Sequence, residues 1–311
     1  MILCLGTTPA VQRVMIFRQL TLDAVNRAAA TLDGIAGKSI NVAKVLRVLG
    51  GHPLATGFLG GHRGAFIRAT LDELGIEHEF VSVAPSTREC VTVIAESACM
   101  QTELVEESQP VEADDFVKLR ASLARFIPRC RAVVMSGTIT PGGPVELYAE
   151  VTRQAHAAGA ISVVDAQGAP LLAALAAKPG LVKPNRAELA ATVGRALTDA
   201  ESVRSAMREL CERGAQRAVV TVGRDPTLAF DGRHFWSVVP PRIDVVNPIG
   251  SGDSFTAGLV WRLLQGDDLG EACRWGAAAG SANALTAMAG EVRREDVDRL
   301  AGEVRIERLS E

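Results

Sequence analysis

The sequence is poor in aromatic residues and has no excess of positive charge. Phenylalanine, tryptophan and tyrosine make up 4% of the 311 residues, and tyrosine occurs once. The formal net charge is −3. Proteins that bind nucleic acid use basic surfaces, and those that bind single strands add aromatic stacking platforms. This composition therefore argues against a nucleic-acid partner.

Cysteine pairs with metal-ligand spacing and long apolar runs are also missing. The six cysteines show no CxxC spacing, so we expect buried, reduced thiols in a cytoplasmic protein. The first residues lack the basic segment and apolar run of a signal peptide. Nowhere do about 18 apolar residues run without a charge or a breaker, so we expect no membrane span.

Short apolar strands alternate with amphipathic helices along most of the chain. Strands are predicted at residues 2–5, 54–59, 132–136, 161–165, 180–183 and 218–222, and helices at residues 40–49 and 65–74. This alternation predicts an α/β fold with a mostly parallel sheet covered by helices on both faces. Ligands in such folds gather at the C-terminal ends of the strands. Polar residues stand at those ends: Ser136, Asp165, Asn185 and Thr221.

Two stretches, residues 12–35 and 87–106, break this alternation. They alternate polar and apolar residues without an intervening helix, and residues 88–96 predict a strand with a hairpin partner at 101–106. We interpret both stretches as a small β-sheet lid that excludes water from the site. Edge strands of the main sheet are the alternative. Residues 1–11, 36–86 and 107–311 would form the main domain.

The most informative run is NPIGSGDSFTAG at residues 247–258. Apolar residues at helical spacing place a helix start near Gly252, with Asp253 in its first turn. The free amides of Gly250, Ser251 and Gly252 would then form a cradle for a phosphate. An aspartate beside a phosphate can accept a proton from an attacking hydroxyl, as a general base. The alternative is a capping aspartate without chemistry.

A second glycine-containing run, Gly37-Lys38-Ser39, precedes a helix and resembles part of a P-loop. The complete P-loop needs a glycine five residues before Gly37, where this chain has Leu32. A P-loop NTPase is therefore disfavoured.

The run at 247–258 resembles the C-terminal signature of the ribokinase and phosphofructokinase-B (PfkB) sugar kinases. Residues 36–43 resemble the N-terminal glycine motif of that family, and residues 183–188 resemble its Asn-x-x-Glu magnesium motif. The three motifs occur in the family's order across the whole chain. Segments 25–27, 87–88, 101–103 and 136–142 are most similar to the hexose-phosphate branch, which includes tagatose-6-phosphate kinase and 1-phosphofructokinase.

The resemblance implies a ribokinase-like three-layer α/β/α fold, with ATP and Mg²⁺ as cofactors. Asn185 and Glu188, one helical turn apart, would hold the metal largely through water. The same pair could instead form a helix cap. The implied nucleotide-binding residues are Lys183, Asn185, Thr221, Gly223 and Asn283. Pro226 stands where the family usually has a glycine.

The resemblance also implies a set of substrate-binding residues. They are Gln12, Gly37, Lys38, Asn41, Arg88, Ser136 and Arg27. Arg88 and Ser136 would hold the substrate's own phosphate, although Arg88 could be a solvated strand charge. Arg27 would complete that site in a neighbouring subunit of a homodimer paired through the lid. Gln12 replaces the family's aspartate, and Ser39 replaces a glycine.

The expected activity is ATP-dependent phosphorylation of a sugar, most closely of a ketohexose monophosphate. A kinase for an unphosphorylated sugar or a nucleoside remains open, because Gln12 and Ser39 depart from the family pattern. A non-catalytic sugar or nucleotide sensor on the same fold is another alternative. A dinucleotide-dependent oxidoreductase is disfavoured because residues 5–10, LGTTPA, lack the glycine spacing it requires.

Overall fold

The computed structural model describes residues 1–98 and 100–309. The strands are β1 (Ile2–Gly6), β2 (Ala10–Phe17), β3 (Ala30–Ala36), β4 (Pro53–Leu59), β5 (Glu77–Ser82), β6 (Arg88–Ala95), β7 (Met100–Val105), β8 (Ala132–Ser136), β9 (Ile161–Asp165), β10 (Leu181–Val182), β11 (Ala218–Val222), β12 (Asp225–Phe230), β13 (Phe235–Val239) and β14 (Arg305–Leu309). The helices are α1 (Lys38–Val48), α2 (Gly61–Glu73), α3 (Ala113–Phe126), α4 (Leu147–Ala157), α5 (Gly168–Leu175), α6 (Arg186–Val193), α7 (Ala200–Glu212), α8 (Ser251–Leu263), α9 (Leu269–Ala284) and α10 (Arg294–Ala301).

A ten-stranded sheet has the order β14-β13-β12-β11-β10-β9-β8-β1-β4-β5. The strands from β5 to β11 in this order run parallel, and β12, β13 and β14 add an antiparallel extension. The six predicted strands are confirmed, three of them with the same bounds. The strand expected at 180–183 is shorter, and the antiparallel extension was not predicted.

Helices cover both faces of this sheet, as β1 shows most directly. Ile2 and Cys4 face the core formed with α1, α2, α8, α9 and α10. Leu3 and Leu5 face the core formed with α3 to α7. Successive strand residues point to opposite faces, so a strand buried on both sides is apolar throughout. The three-layer α/β/α fold is confirmed.

A smaller sheet has the order β3-β2-β6-β7. Its β2 and β6 run parallel, whereas β3 and β7 pair antiparallel to their neighbours. These strands pair with one another and belong to a sheet separate from the ten-stranded one. The β6–β7 hairpin follows the predicted 88–96 and 101–106 segments, while β2 begins at Ala10, before the expected 12. The division into a main domain and a lid remains a prediction.

The cysteines in the described residues carry free thiols. Cys4, Cys90, Cys130 and Cys273 are buried, and Cys211 is half-buried. Cys99 lies outside the described residues. None of the helices in the described part of the chain is long and apolar enough to cross a membrane.

Candidate active site

The C-terminal ends of the parallel strands and the starts of two helices meet at one edge of the large sheet. Ser136 ends β8, Asp165 ends β9, and Lys183 directly follows β10. Helices α1 and α8 bring Asn41 and Asp253 together at this edge. The fold therefore assembles the polar strand ends and the glycine-rich run, as the βα order predicts.

A left-handed glycine opens α8. Gly250 has φ +85° and precedes the first helical residue. A Cβ atom there would lie 2.8 Å from Ala289 Cβ and 2.9 Å from the Gly290 amide nitrogen. Both the backbone angle and this close approach require glycine. The segment around residues 289–290 therefore supports the turn that begins α8.

The first turn of α8 offers fewer free amides than the sequence suggested. The Ser251 N–H donates to the Pro248 carbonyl at 3.1 Å, so it closes a turn and is not free for a phosphate. The Gly252 N–H has no hydrogen-bond partner among the described residues. Its position at the positive end of the helix suits an anion. The Ser251 N–H is thus already bound within the protein, and a phosphate contact at Gly250 and Gly252 stays a prediction.

Asp253 lies buried in this first turn. Its Oδ2 accepts a hydrogen bond of 2.8 Å from Asn41 Nδ2 on α1, so its partner is not an α8 amide. The capping alternative therefore does not describe this carboxyl group. Burial raises the pKa of Asp253 to about 7, although the nearby Lys38 acts in the opposite direction. A carboxyl group with a pKa near neutrality is well suited to accept and release a proton.

Asp165 and two lysines form an ionic network beside Asp253, in which Asp165 and Lys183 are buried and Lys38 is half-buried. Asp165 Oδ2 lies 3.0 Å from Lys183 Nζ, and Asp165 Oδ1 lies 3.5 Å from Lys38 Nζ. Thr256 Oγ1 of α8 donates to Asp165 Oδ2 at 2.9 Å. Burial alone would raise the pKa of Asp165, but Lys183 and Lys38 outweigh it and hold that pKa below its usual value. Asp165 therefore fixes both ammonium groups.

Both ammonium groups lie close to the α8 start. A Cβ at Gly252 would be 3.8 Å from Lys183 Nζ, which places that charge beside the amide cradle. Asp165 raises the pKa of Lys38, burial opposes it, and Asp253 and Glu188 add to it. The site therefore combines a helix start with two cations. Sequence reasoning assigned no role to Asp165, and its only signal was a polar residue at a strand end.

Asn185 and Glu188 form a reciprocal cap at the start of α6. Asn185 Oδ1 accepts from the Glu188 N–H, and Glu188 Oε2 accepts from the Asn185 N–H, both at 2.8 Å. Glu188 Oε1 also accepts from Lys38 Nζ at 3.0 Å. The capping alternative is confirmed, and direct metal ligation by Asn185 does not fit because its oxygen serves the cap. Among the described residues, no group of three or more His, Cys, Asp and Glu could hold a metal ion.

The nucleotide-side residues divide into two groups. Thr221 forms an isolated parallel bridge with Asn185, and Gly223 follows β11 with φ +60°, so these lie together at the strand ends. Asn283 differs, because it is fully buried within α9. Its Oδ1 accepts from the Gly290 N–H at 2.7 Å, and its Nδ2 donates to the Ile249 carbonyl at 2.9 Å. Asn283 therefore connects the two segments that flank the start of α8, and its predicted nucleotide contact stays a prediction.

The sugar-side residues of α1 reach the site. Gly37 has φ +107° and caps α1, and a Cβ there would lie 2.8 Å from Pro9 Cα. Asn41 Oδ1 and Ser136 Oγ are buried without a hydrogen-bond partner among the described residues. Buried polar atoms rarely remain unpaired, so these two atoms are candidates for a contact with a ligand.

Ser39, which replaces a family glycine, is accommodated by a glycine on β1. A side chain at Gly6 would overlap Ser39 Oγ, so the small residue at Gly6 leaves room for the larger one at position 39. The serine at position 39 therefore fits without displacing β1.

Gln12 does not face open space. It is completely buried, its Nε2 donates to Thr92 Oγ1, and its Oε1 accepts from the Ala289 N–H, both at 3.3 Å. Both ends of its amide are therefore bound within the protein, and the predicted contact of Gln12 with the sugar stays a prediction.

Arg88 and Arg27 lie in different surroundings. The Arg88 guanidinium donates to the Thr8 carbonyl at 3.1 and 3.2 Å and to the Glu106 carbonyl at 3.3 Å. It is half-buried and anchored, and is not a solvated strand charge. Arg27 is exposed between β2 and β3, and no described hydrogen bond or ion pair joins it to the other candidate residues.

Comparisons with known proteins agree with this geometry. Residues 1–294 match the model of the pfkB family of carbohydrate kinases. The chain is 29% identical over 309 residues to a tagatose-6-phosphate kinase of Staphylococcus epidermidis, covering 98% of this chain and 99% of the relative. A structure of phosphofructokinase-2 from Escherichia coli in complex with substrates and products has a TM-score of 0.87 at 29% identity, covering 97% of each chain.

A structure described as a possible 1-phosphofructokinase from Thermotoga maritima has a TM-score of 0.91. It is 23% identical and covers 99% of each chain, so it supports the fold alone. The family match spans the small sheet, the assembled site and every strand of the large sheet except β14. The chain belongs to the pfkB family of carbohydrate kinases.

Proposed function

We propose that this chain transfers the γ-phosphoryl group of ATP to a hydroxyl of a hexose monophosphate, giving a bisphosphate. The observation that carries the proposal is the buried Asp253 carboxyl group, which lies beside a free helix-start amide and two lysines. The relatives named as kinases of tagatose 6-phosphate and of fructose phosphates support a ketohexose monophosphate as the acceptor.

Asp253 is the proposed general base. It accepts the proton of the sugar hydroxyl as that oxygen forms a bond to the γ-phosphorus and the bond to the leaving ADP breaks. The Gly252 amide and the Lys183 ammonium stabilise charge on the transferring phosphoryl group. With a pKa of about 7, Asp253 is largely ionised above neutral pH and releases its proton easily afterwards.

The residues of this site fit Mg²⁺ only if water molecules lie between the ion and the protein. Both Glu188 oxygens already accept from protein donors, but each keeps a lone pair for a metal-bound water. Glu188 would therefore hold the ion through water, and the ATP phosphates would bind it directly. When bound, the ion neutralises charge on the β- and γ-phosphates.

The unpaired atoms of the sugar side support an acceptor with several hydroxyls. Asn41 Oδ1 can accept and Ser136 Oγ can donate or accept, and Lys38 adds a cation. The Arg88 guanidinium has five N–H groups, three of which serve Thr8 and Glu106, so two remain for a substrate phosphate. The pocket beside Arg88 is also lined by Thr7, Ser86, Thr87, Ser108, Gln109 and Thr140.

We propose that residues 12–35 and 87–106 act as a lid and that two copies pair through it. The β2–β3 connection exposes Leu22 and Val25 by 86% and 84%, next to Arg27. Exposed apolar side chains at a sheet end favour association. Arg27 would reach the partner's site. Sedimentation should detect a dimer, whereas a monomer of full activity would remove this role of Arg27. Free buried thiols are compatible with the proposed cytoplasmic location.

The function is tested by ADP release with tagatose 6-phosphate, fructose 6-phosphate, fructose 1-phosphate, free fructose and adenosine, with and without Mg²⁺. We expect Mg²⁺-dependent ADP release with at least one hexose monophosphate and formation of its bisphosphate. ADP release only with free fructose or adenosine would favour the kinase for an unphosphorylated acceptor. The absence of ADP release with every acceptor would favour a sensor.

A further inference from the structure

One short loop touches the small sheet, α1 and the start of α8. It comprises residues 286–290, directly after α9, and is called here the 286–290 loop. Its two ends differ in their neighbours: Met288 contacts the small sheet, whereas Ala289 and Gly290 contact the turn at Gly250. The loop therefore connects the proposed lid to the phosphate cradle.

Met288 is the apolar anchor of the loop in the small sheet. It is buried with Val14 of β2 and Ile94 of β6 in a cluster separate from the two main cores. A Cβ at Gly34 of β3 would lie 2.5 Å from Met288 Cε. The glycine at this position of β3 therefore leaves room for the methionine side chain. Three strands of the small sheet thus form the receptor for one side chain.

Gln12 adds a polar contact next to this anchor. Its carbonyl oxygen accepts from the Ala289 N–H, while its NH₂ group donates to Thr92 Oγ1. Gln12 and Thr92 are completely buried. An amide can accept and donate at once, so Gln12 bonds to Ala289 and to Thr92 with one side chain. The glutamine that replaces the family's aspartate is therefore suited to these two hydrogen bonds within the protein.

The other end of the loop is held from the main sheet side. Lys44 Nζ of α1 donates to the Ala289 carbonyl at 2.8 Å, and the Gly290 N–H donates to Asn283 Oδ1 at 2.7 Å. The atoms of Ala289 and Gly290 then lie where a side chain at Gly250 would be. A displacement of Ala289 would therefore move the support beneath the first turn of α8.

We infer that the 286–290 loop transmits the position of the small sheet to the phosphate cradle, with Gln12 as the positioning residue that couples them. This inference rests on the proposed function. Movement of the small sheet away from the site breaks the Gln12–Ala289 hydrogen bond and withdraws Met288. The cradle is then complete only when the small sheet is seated, so closure over substrate and assembly of the catalytic turn are one event.

Gln12→Met is the test, because methionine keeps the length of the side chain and removes both hydrogen bonds. Using the hexose monophosphate that the wild-type enzyme phosphorylates, we expect kcat to fall about tenfold while the sugar KM changes less than about twofold. Gln265→Met, at the far end of α8, is the matched control and should match the wild type. A raised sugar KM with unchanged kcat would show that Gln12 binds the sugar and would overturn the inference.

Hydrogen exchange of the full-length protein gives a second readout that needs no activity. In Gln12→Met the Ala289 amide should exchange faster, while amides in the cores of β1 and β8 remain protected. Thr92→Val keeps the acceptor for Ala289 but loses the partner that orients it, so it should show a smaller change in the same direction. Unchanged exchange at Ala289 would contradict the coupling. If no sugar is phosphorylated by the wild type, the proposed function fails while exchange still reports on the loop.

Discussion

The phosphoryl side and the sugar side of the site differ in how their polar groups are satisfied. On the phosphoryl side, Asp165 is bound by Lys183, Lys38 and Thr256, and Asp253 is bound by Asn41. On the sugar side, Asn41 Oδ1 and Ser136 Oγ are buried and unpaired among the described residues. The charged groups of the phosphoryl side are therefore held in place by the protein, whereas two polar atoms of the proposed sugar side have no protein partner among the described residues.

The largest expected effect comes from removing the base on the phosphoryl side. Asp253→Asn keeps the size of the side chain but cannot accept a proton, so we expect kcat to fall about 10²- to 10⁴-fold. ATP binding, measured by calorimetry, should persist because the Gly252 amide and the lysines remain. Asp298→Asn, an exposed change on α10, is the control. Near-normal turnover in Asp253→Asn would remove the general base from the account.

Breaking the buried ion pair should affect both folding and turnover. Lys183→Met leaves Asp165 with the longer contact to Lys38 and the hydrogen bond from Thr256, and loss of one partner of a buried ion pair costs about 3 kcal/mol. We expect the free energy of unfolding to fall by about that amount, with turnover also reduced because a cation beside the cradle is lost. Denaturant unfolding measures the first effect. If Lys183→Met is as stable as the wild type, the ion pair between Lys183 and Asp165 does not stabilise the fold.

A substitution on the sugar side should act on binding and less on the chemical step. Arg88→Ala removes the guanidinium proposed for the substrate's phosphate, and we expect the KM for a hexose monophosphate to rise about tenfold or more. Activity with free fructose, if any, should be unaffected. Arg18→Ala, at an exposed position directly after β2, is the control. Equal kinetics of Arg88→Ala with the phosphorylated sugar would favour an unphosphorylated acceptor.

A smaller effect is expected on the pH dependence of stability. The pKa of Asp253 is raised from 3.8 to about 7, so the folded state holds this proton more tightly than the unfolded chain. Its contribution to stability is therefore lost as pH rises from about 4 to about 7. Asp165, whose pKa is lowered, acts in the opposite sense and only in acid. Unfolding measured at about pH 5 and about pH 8 should show a larger loss in wild type than in Asp253→Asn.

The two sides also differ in how far the sequence predicts them. The βα order predicted the parallel strands and the place of the site, and the glycine run predicted the α8 start with Asp253 in its first turn. These features follow from local patterns of apolar and glycine residues. The contacts of Ser251, Asn283 and Gln12 within the protein were not predicted, because each joins distant or turn residues that no local pattern reveals.

The antiparallel extension and the buried network illustrate the same limit. Strands β12 to β14 extend a sheet whose parallel part was evident from its alternation with helices, but their pairing depends on tertiary contacts. Asp165 was visible only as a polar strand end, and its ion pairs with Lys38 and Lys183 join segments far apart in the chain. Sequence therefore locates the site, while the partners that tune its charges come from the fold.

The measurement that bears most directly on the central claim is the pH profile of kcat/KM for the accepted hexose monophosphate. If Asp253 is the base with its pKa raised to about 7, activity should rise with pH and level off above an inflection near that value. The residual activity of Asp253→Asn should lack this inflection. A wild-type profile that is flat from about pH 5 to about pH 9, or an inflection that persists in Asp253→Asn, would contradict the assignment.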